Sequence, residues 1–161
     1  SMNLELSNLT DEQKKQIIEL AKKFEQENEA DKLDYENDYS AVSYKGKAVE
    51  IMGAREEYVK DLFKLGLTAH TKEEAEKIRR RLLVEKELRD WAKKCKEPVD
   101  WESKQAKYCI GYDNNTKEII LDDFCDYTNG NIIFMDNEIG KQAIESIGQE
   151  RLIRDYFGID N

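Results

Sequence analysis

Between Leu9 and Phe24 the apolar positions fall three or four residues apart, at Ile17, Leu20, Ala21 and Phe24, in a run that is otherwise charged. That spacing predicts a helix with one apolar stripe, a face that must dock on something. Thr10-Asp11-Glu12-Gln13 opens it: the hydroxyl caps the first turn, Gln13 reaches back, and Leu9 is placed to staple onto the helix. From Glu25 to Asp38 the apolar signal fades and acids dominate, as in a solvated helix end followed by a linker.

Residues 41 to 51 carry β-branched and aromatic groups on both sides of Lys45-Gly46, which predicts a tight hairpin. Residues 55 to 65 return to three- and four-residue spacing and predict a short helix. Thr71-Lys72-Glu73-Glu74 is a second capping box, opening a long helix to about Lys96 with Ala75, Ile78, Leu82, Leu88, Trp91 and Ala92 on its buried side and Pro98 closing it.

The second half repeats the plan. Tyr108, Ile110 and Tyr112 alternate before Asp113-Asn114-Asn115, and Ile119, Ile120 and Leu121 follow, as in a hairpin with a short polar turn. Tyr127-Thr128-Asn129-Gly130 turns the chain into a third strand at Ile132-Ile133-Phe134. Asp136 or Asn137 then caps a helix holding Ala143, Ile144 and Ile147, and after Gly148 a last amphipathic turn or two carries Leu152, Ile153, Tyr156 and Phe157.

These elements predict an α+β fold of antiparallel hairpins with helices packed on one face. The steps at Gly66–Ala75 and Gly130–Ile139 share an order of glycine, short strand, cap and helix, so two sheet-then-helix units behind an N-terminal helix are expected. The divisions are 2–34 for the amphipathic helix and acidic linker, 35–97 for a hairpin and long helix, and 98–161 for a three-stranded sheet and C-terminal helices. Trp91, Trp101, Tyr156 and Phe157 either complete the core or form a homodimer surface, and periodicity does not separate the two.

Composition adds charge to this picture. The 161 residues carry a formal charge of -9, which favours solubility and works against general attraction to phosphate backbones. Residues 1 to 40 hold 11 acids against 5 bases and residues 98 to 161 hold 13 against 6, while residues 71 to 97 hold 10 bases against 7 acids. Two acidic flanks thus surround one mildly basic helix, and direct nucleic-acid binding is not expected. Ser1 before Met2 looks like a residue left by tag cleavage, and no secretory leader follows, so a chain starting at Met2 and staying in the cytoplasm is expected. Apolar runs such as Ile132-Ile133-Phe134-Met135 fall far short of the ~20 residues a membrane span needs.

Candidate chemistry is sparse. Cys95, Cys109 and Cys125 are too far apart for a zinc site and odd in number, so they read as reduced thiols. His70, between a strand and a helix cap, is expected to be structural; pairing it with Cys109 or Cys125 would need a fold contact that no local signature announces. No phosphate-binding or dinucleotide-binding glycine loop occurs. Asp122, Asp123 and Asp126, with Glu118 before them, are the densest acidic group near a strand. Such carboxylates can hold a divalent cation or act as an acid and base pair, but adjacent strand positions point to opposite faces, and solvated charge is the simpler reading. Lys77, Arg79, Arg80 and Arg81 are the basic cluster, for which pairing with Glu73, Glu74, Glu76 and Glu85 on the same helix is the ordinary explanation and a phosphate contact the alternative. No metal, cofactor or catalytic residue is expected, and binding is favoured over catalysis.

Asp100-Trp101, Lys107-Tyr108, the Gly130–Phe134 segment, Ala143-Ile144-Glu145-Ser146-Ile147-Gly148-Gln149-Glu150-Arg151-Leu152 and Tyr156-Phe157-Gly158-Ile159, with the Leu9–Lys14 and Thr71–Glu76 helix starts, resemble a module in small accessory proteins of phages and prophages of Gram-positive bacteria. Residues 35 to 66 lack the aromatic-rich segment of that group. The resemblance implies phage origin, a bacterial host cytoplasm and no catalytic residues to carry over. Such proteins often inhibit host defence enzymes, anti-CRISPR proteins among them. An acidic protein can fill a Lys- and Arg-lined nucleic-acid channel by presenting carboxylates in place of phosphates; Glu25, Glu27, Glu29, Asp31, Asp122, Asp123 and Asp126 are the candidate contacts with a host nuclease. An adaptor in phage replication, transcription or packaging, using the N-terminal helix or the Lys77–Arg81 face, and a small-molecule sponge are the other readings.

Overall fold

A computed structural model of the chain describes residues 6–30, 39–42, 48–50 and 56–160. After a 3-10 turn at Leu6–Asn8, α1 (Asp11–Ala30) starts behind Thr10. The backbone N–H of Thr10 donates to Gln13 Oε1 at 3.0 Å, and that of Gln13 to Thr10 Oγ1 at 3.2 Å, the reciprocal box the sequence predicts.

β1 (Tyr39–Ser40) and β2 (Val49–Glu50) pair antiparallel, with Tyr39 opposite Glu50 and Ser40 opposite Val49. The hairpin therefore begins before residue 41, and its expected turn at Lys45-Gly46 lies outside the described residues. β3 (Thr68–Ala69) pairs with the other side of β1, giving the spatial order β2-β1-β3. Between them α2 (Glu56–Lys64) buries Val59 and Leu62. Gly66, at φ +70, ends that helix: its N–H bonds to Phe63 O and the N–H of Leu67 to Leu62 O, the paired closure that needs a left-handed residue.

α3 (Lys72–Ala92) is the spine. Thr71 Oγ1 accepts from the N–H of Glu74 at 3.1 Å and fixes its start. Its end comes at Ala92, short of the expected Lys96, as the N–H groups of Lys94 and Cys95 tighten onto the carbonyls of Trp91 and Ala92 well before Pro98. Ala75, near the N-terminus, packs with Ala41 and Ala48 beside the first sheet, whereas Val84 and Leu88 enter a larger core formed by the second half of the chain. One helix thus serves both sheets.

β4 (Lys107–Asp113) and β5 (Glu118–Phe124) form the second sheet, antiparallel from Lys107 opposite Phe124 to Asp113 opposite Glu118. Asp113 Oδ1 accepts from the N–H groups of Asn115 and Thr116 and closes the turn. The expected third strand at Ile132–Phe134 is only a bridge: Phe134 exchanges both backbone hydrogen bonds with Tyr108, and no ladder extends beyond that pair. α4 (Asn137–Ile147) starts at Asp136, whose carboxylate accepts from the N–H groups of Glu138 and Ile139. After Gly148, α5 (Gln149–Arg151) runs into a π-helical stretch, Leu152–Tyr156, visible in the bond from the N–H of Phe157 to Leu152 O.

The fold is α+β, with helices on one face of the β4–β5 hairpin. Ile110 and Ile119, with half-buried Tyr108, Tyr112 and Leu121, meet Val84 and Leu88 of α3, Ala143 and Ile147 of α4, and Leu152, Ile153 and Phe134. Trp91, Tyr156 and Phe157 pack against this core, so three of the four aromatics left open by periodicity belong to it. The opposite face holds a smaller cluster, Cys109 and Phe124 with Ile133 and Met135.

Candidate functional site

Two features survive once the core is accounted for: an acidic, aromatic end of the β4–β5 hairpin, and a helix α1 whose apolar stripe is bare.

The period of two places Asp122 on the outer face beside Phe124 and opposite Cys109, and Asp123 on the helix-covered face opposite Tyr108. Both are exposed, near the strand's end. Asp126 follows and accepts a hydrogen bond from Cys125 Sγ at 3.3 Å. Neither Asp122 nor Asp123 has an ion-pair partner among the described residues. Trp101 and Tyr127 flank Phe124, with ring centroids 6.3 and 4.9 Å away at small interplanar angles. Phe124 is buried while the outer two rings stay partly exposed, forming an aromatic ledge at the end of β5. The sequence reading missed this stack; Trp101 comes from the irregular stretch after α3, and no periodicity ties it to β5.

That irregular stretch is held by Lys107, whose side chain is fully enclosed and whose Nζ donates to Ser103 O at 2.8 Å and Gln105 O at 3.2 Å. The ammonium is thereby solvated by carbonyls.

The basic cluster divides its partners between two elements. Arg79 grips Glu76 through Nε and Nη2, and Arg81 Nε meets Glu85 at 2.8 Å, pairs within α3 as expected. Lys77 and Arg80 reach instead to the C-terminal segment, contacting Asp160 at 3.4 Å and Asp155 at 3.5 Å. Arg81 also donates to Tyr156 O at 2.7 Å and covers the Tyr156 ring. Asp155 is nearly enclosed, with Arg80, Arg151 and Arg154 around it, and Arg151 forms two hydrogen bonds to Glu87. Each cation of the cluster thus meets a carboxylate, and Lys77, Arg80 and Arg81 clamp the C-terminal turns to α3. The Arg151 and Asp155 spacing was legible as a four-residue pair; their union with Arg80 depends on tertiary packing alone.

Glu25 is exposed on α1. Glu27 and Glu29 fall in α1 at positions whose side chains lie outside the described residues, and Asp31 lies outside them altogether. His70 is exposed ahead of the Thr71 cap. Cys95 is half-buried against the cluster of Cys109, Phe124, Ile133 and Met135, and Cys125 is exposed. Burial first, and then the charge of Asp122, push the Cys109 thiol above its ordinary pKa, while the hydrogen bond to Asp126 raises that of Cys125. Both shifts disfavour the thiolate a nucleophile requires. Among the described residues no three His, Cys, Asp or Glu side chains gather as a metal site would need, and no helix is long and apolar enough to cross a membrane.

Comparison of the chain with models of known protein families, with curated proteins and with solved structures finds no match.

Proposed function

We propose that the protein works by docking on another macromolecule, with its acidic hairpin end seated on a Lys- and Arg-lined surface where nucleic acid would otherwise lie. The observation that carries this reading is the contrast in pairing. The cations of the Lys77–Arg81 cluster are engaged by carboxylates, whereas Asp122 and Asp123 stand exposed and unpaired on the strand that carries Phe124, the ring flanked by Trp101 and Tyr127. Exposed carboxylates at a strand end mimic phosphate charge, and neighbouring aromatic faces receive guanidinium groups. A host defence nuclease is the target class this chemistry fits, in keeping with the resemblance to phage accessory proteins.

The test is competition. Purified protein is added to candidate host nucleases, and DNA binding and cleavage are followed with increasing salt. Inhibition that weakens steeply with salt, and that Asp122→Lys with Asp123→Lys reduces at least tenfold, is the expected result. Unchanged inhibition by that double variant would sink the reading. The adaptor alternative predicts salt-sensitive DNA binding by the protein itself, and the paired state of the basic cluster argues against it.

A further inference from the structure

Nothing in the acidic-hairpin reading uses α1, yet α1 exposes a row of large apolar side chains along one side. Ile17, Leu20 and Phe24 are 42%, 71% and 65% exposed. They line one open concavity of about 590 Å³ together with Leu9, Gln13 and Ala21. We propose that this face is covered by a second copy of the same chain, the two α1 helices lying antiparallel about a two-fold axis with Lys14 of each copy against Glu25 of the other.

Two features of the helix select that occupant. Gln13 and the apolar Ile17, Leu20 and Phe24, four of the positions on the concavity, are separated by four, three and four residues, an interval pattern that is the same from either end. Reversing one helix against another therefore sets Ile17 opposite Leu20 and Gln13 opposite Phe24, twice over, as a two-fold contact demands. Charge supplies the second argument. Lys14 and Glu25 are eleven residues apart, close to three turns, so they lie along one flank of the stripe. Both are exposed, and neither has an ion-pair partner among the described residues. In the antiparallel register set by the stripe, Lys14 comes within about 3 Å, measured along the axis, of Glu25 in the second copy. In a parallel two-fold pair these flanks fall on opposite sides of the seam, so Lys14 of one copy would not meet Glu25 of the other.

The experiment is sedimentation equilibrium on the full chain. The unaltered protein is expected to dimerise at tens of micromolar, and Leu20→Asp to be monomeric with unchanged helix content and thermal midpoint. Lys14→Glu and Glu25→Lys are each expected to weaken the dimer about tenfold, since two attractive contacts become two repulsive ones. The double variant Lys14→Glu with Glu25→Lys is expected to recover to within a few-fold of the original. A monomer at 100 micromolar, a Leu20→Asp variant that unfolds or still dimerises, or a double variant that does not recover would each overturn the proposal.

Discussion

Phe134 is enclosed completely, and among the described residues its backbone is the only ladder contact on the free side of β4. Phe134→Ala should therefore remove core volume and loosen the bridge at once, costing about 3–5 kcal/mol in urea unfolding. The thiols offer a finer test. Asp126 raises the pKa of Cys125, so Asp126→Ala should lower it and speed modification by a disulfide reagent at pH 7.5. Cys109, held up by burial, should stay slow in both proteins until they unfold. Equal Cys125 rates with and without Asp126 would contradict the assignment.

At the scale of elements, the caps were the most legible features. Thr10, Thr71 and Asp136 each start a helix where the sequence places it, because cap chemistry is local and needs only three or four neighbouring residues. The β4–β5 hairpin was equally plain, since its alternation and its Asp113 turn are contiguous in the chain. What failed to show depended on partners distant in sequence. Ile132–Phe134 has strand composition, yet pairs only at one residue. Val84, fully buried, was passed over for Leu82, which is half exposed, because the orientation of α3 is set by the β4–β5 face and α4 and not by its own periodicity. The acids at Asp122 and Asp123 were read correctly as exposed, while the aromatic ledge at the end of β5 was invisible. Gly148 joins α4 to α5 at φ 95 and ψ 145, a backbone region open in practice to glycine alone, with open space around its missing side chain. Gly148→Ala should thus cost about 1–3 kcal/mol from conformation only, read as a lower urea midpoint with unchanged slope.

Over the whole molecule, charge sets the response to pH. Glu76 is held below the usual carboxylate range by Arg79 and by the N–H of Ala48, Asp90 by Lys86, and Asp113 by the N–H groups of Asn115 and Thr116. Groups lowered in this way add stability that is present above the ordinary carboxylate pKa of about 4 and is lost as the pH falls further. The Cys109 thiol is raised, so its contribution is present below the ordinary thiol value of about 8.5 and is lost as the pH climbs through its raised pKa. Between these limits the formal charge of -9 favours expansion, and that repulsion shrinks toward the isoelectric point near 4.8. The thermal midpoint is accordingly expected to rise from pH 7.5 to about 5.5 and to drop below pH 4. Added salt should raise it at pH 7.5 and change it little at pH 5.5. A midpoint that falls steadily from pH 7.5 to 5.5 would refute this balance.

Because α3 supplies Ala75 to one sheet and Val84 and Leu88 to the other, the second half of the chain does not own its roof. A polypeptide of residues 98–161 expressed by itself would carry the hairpin, α4 and the C-terminal turns with an uncovered gap where two buried side chains should sit. Recombination at residues 97 and 98 would deliver the same defect to any descendant. The second sheet keeps its covering helix only while the two halves remain one chain.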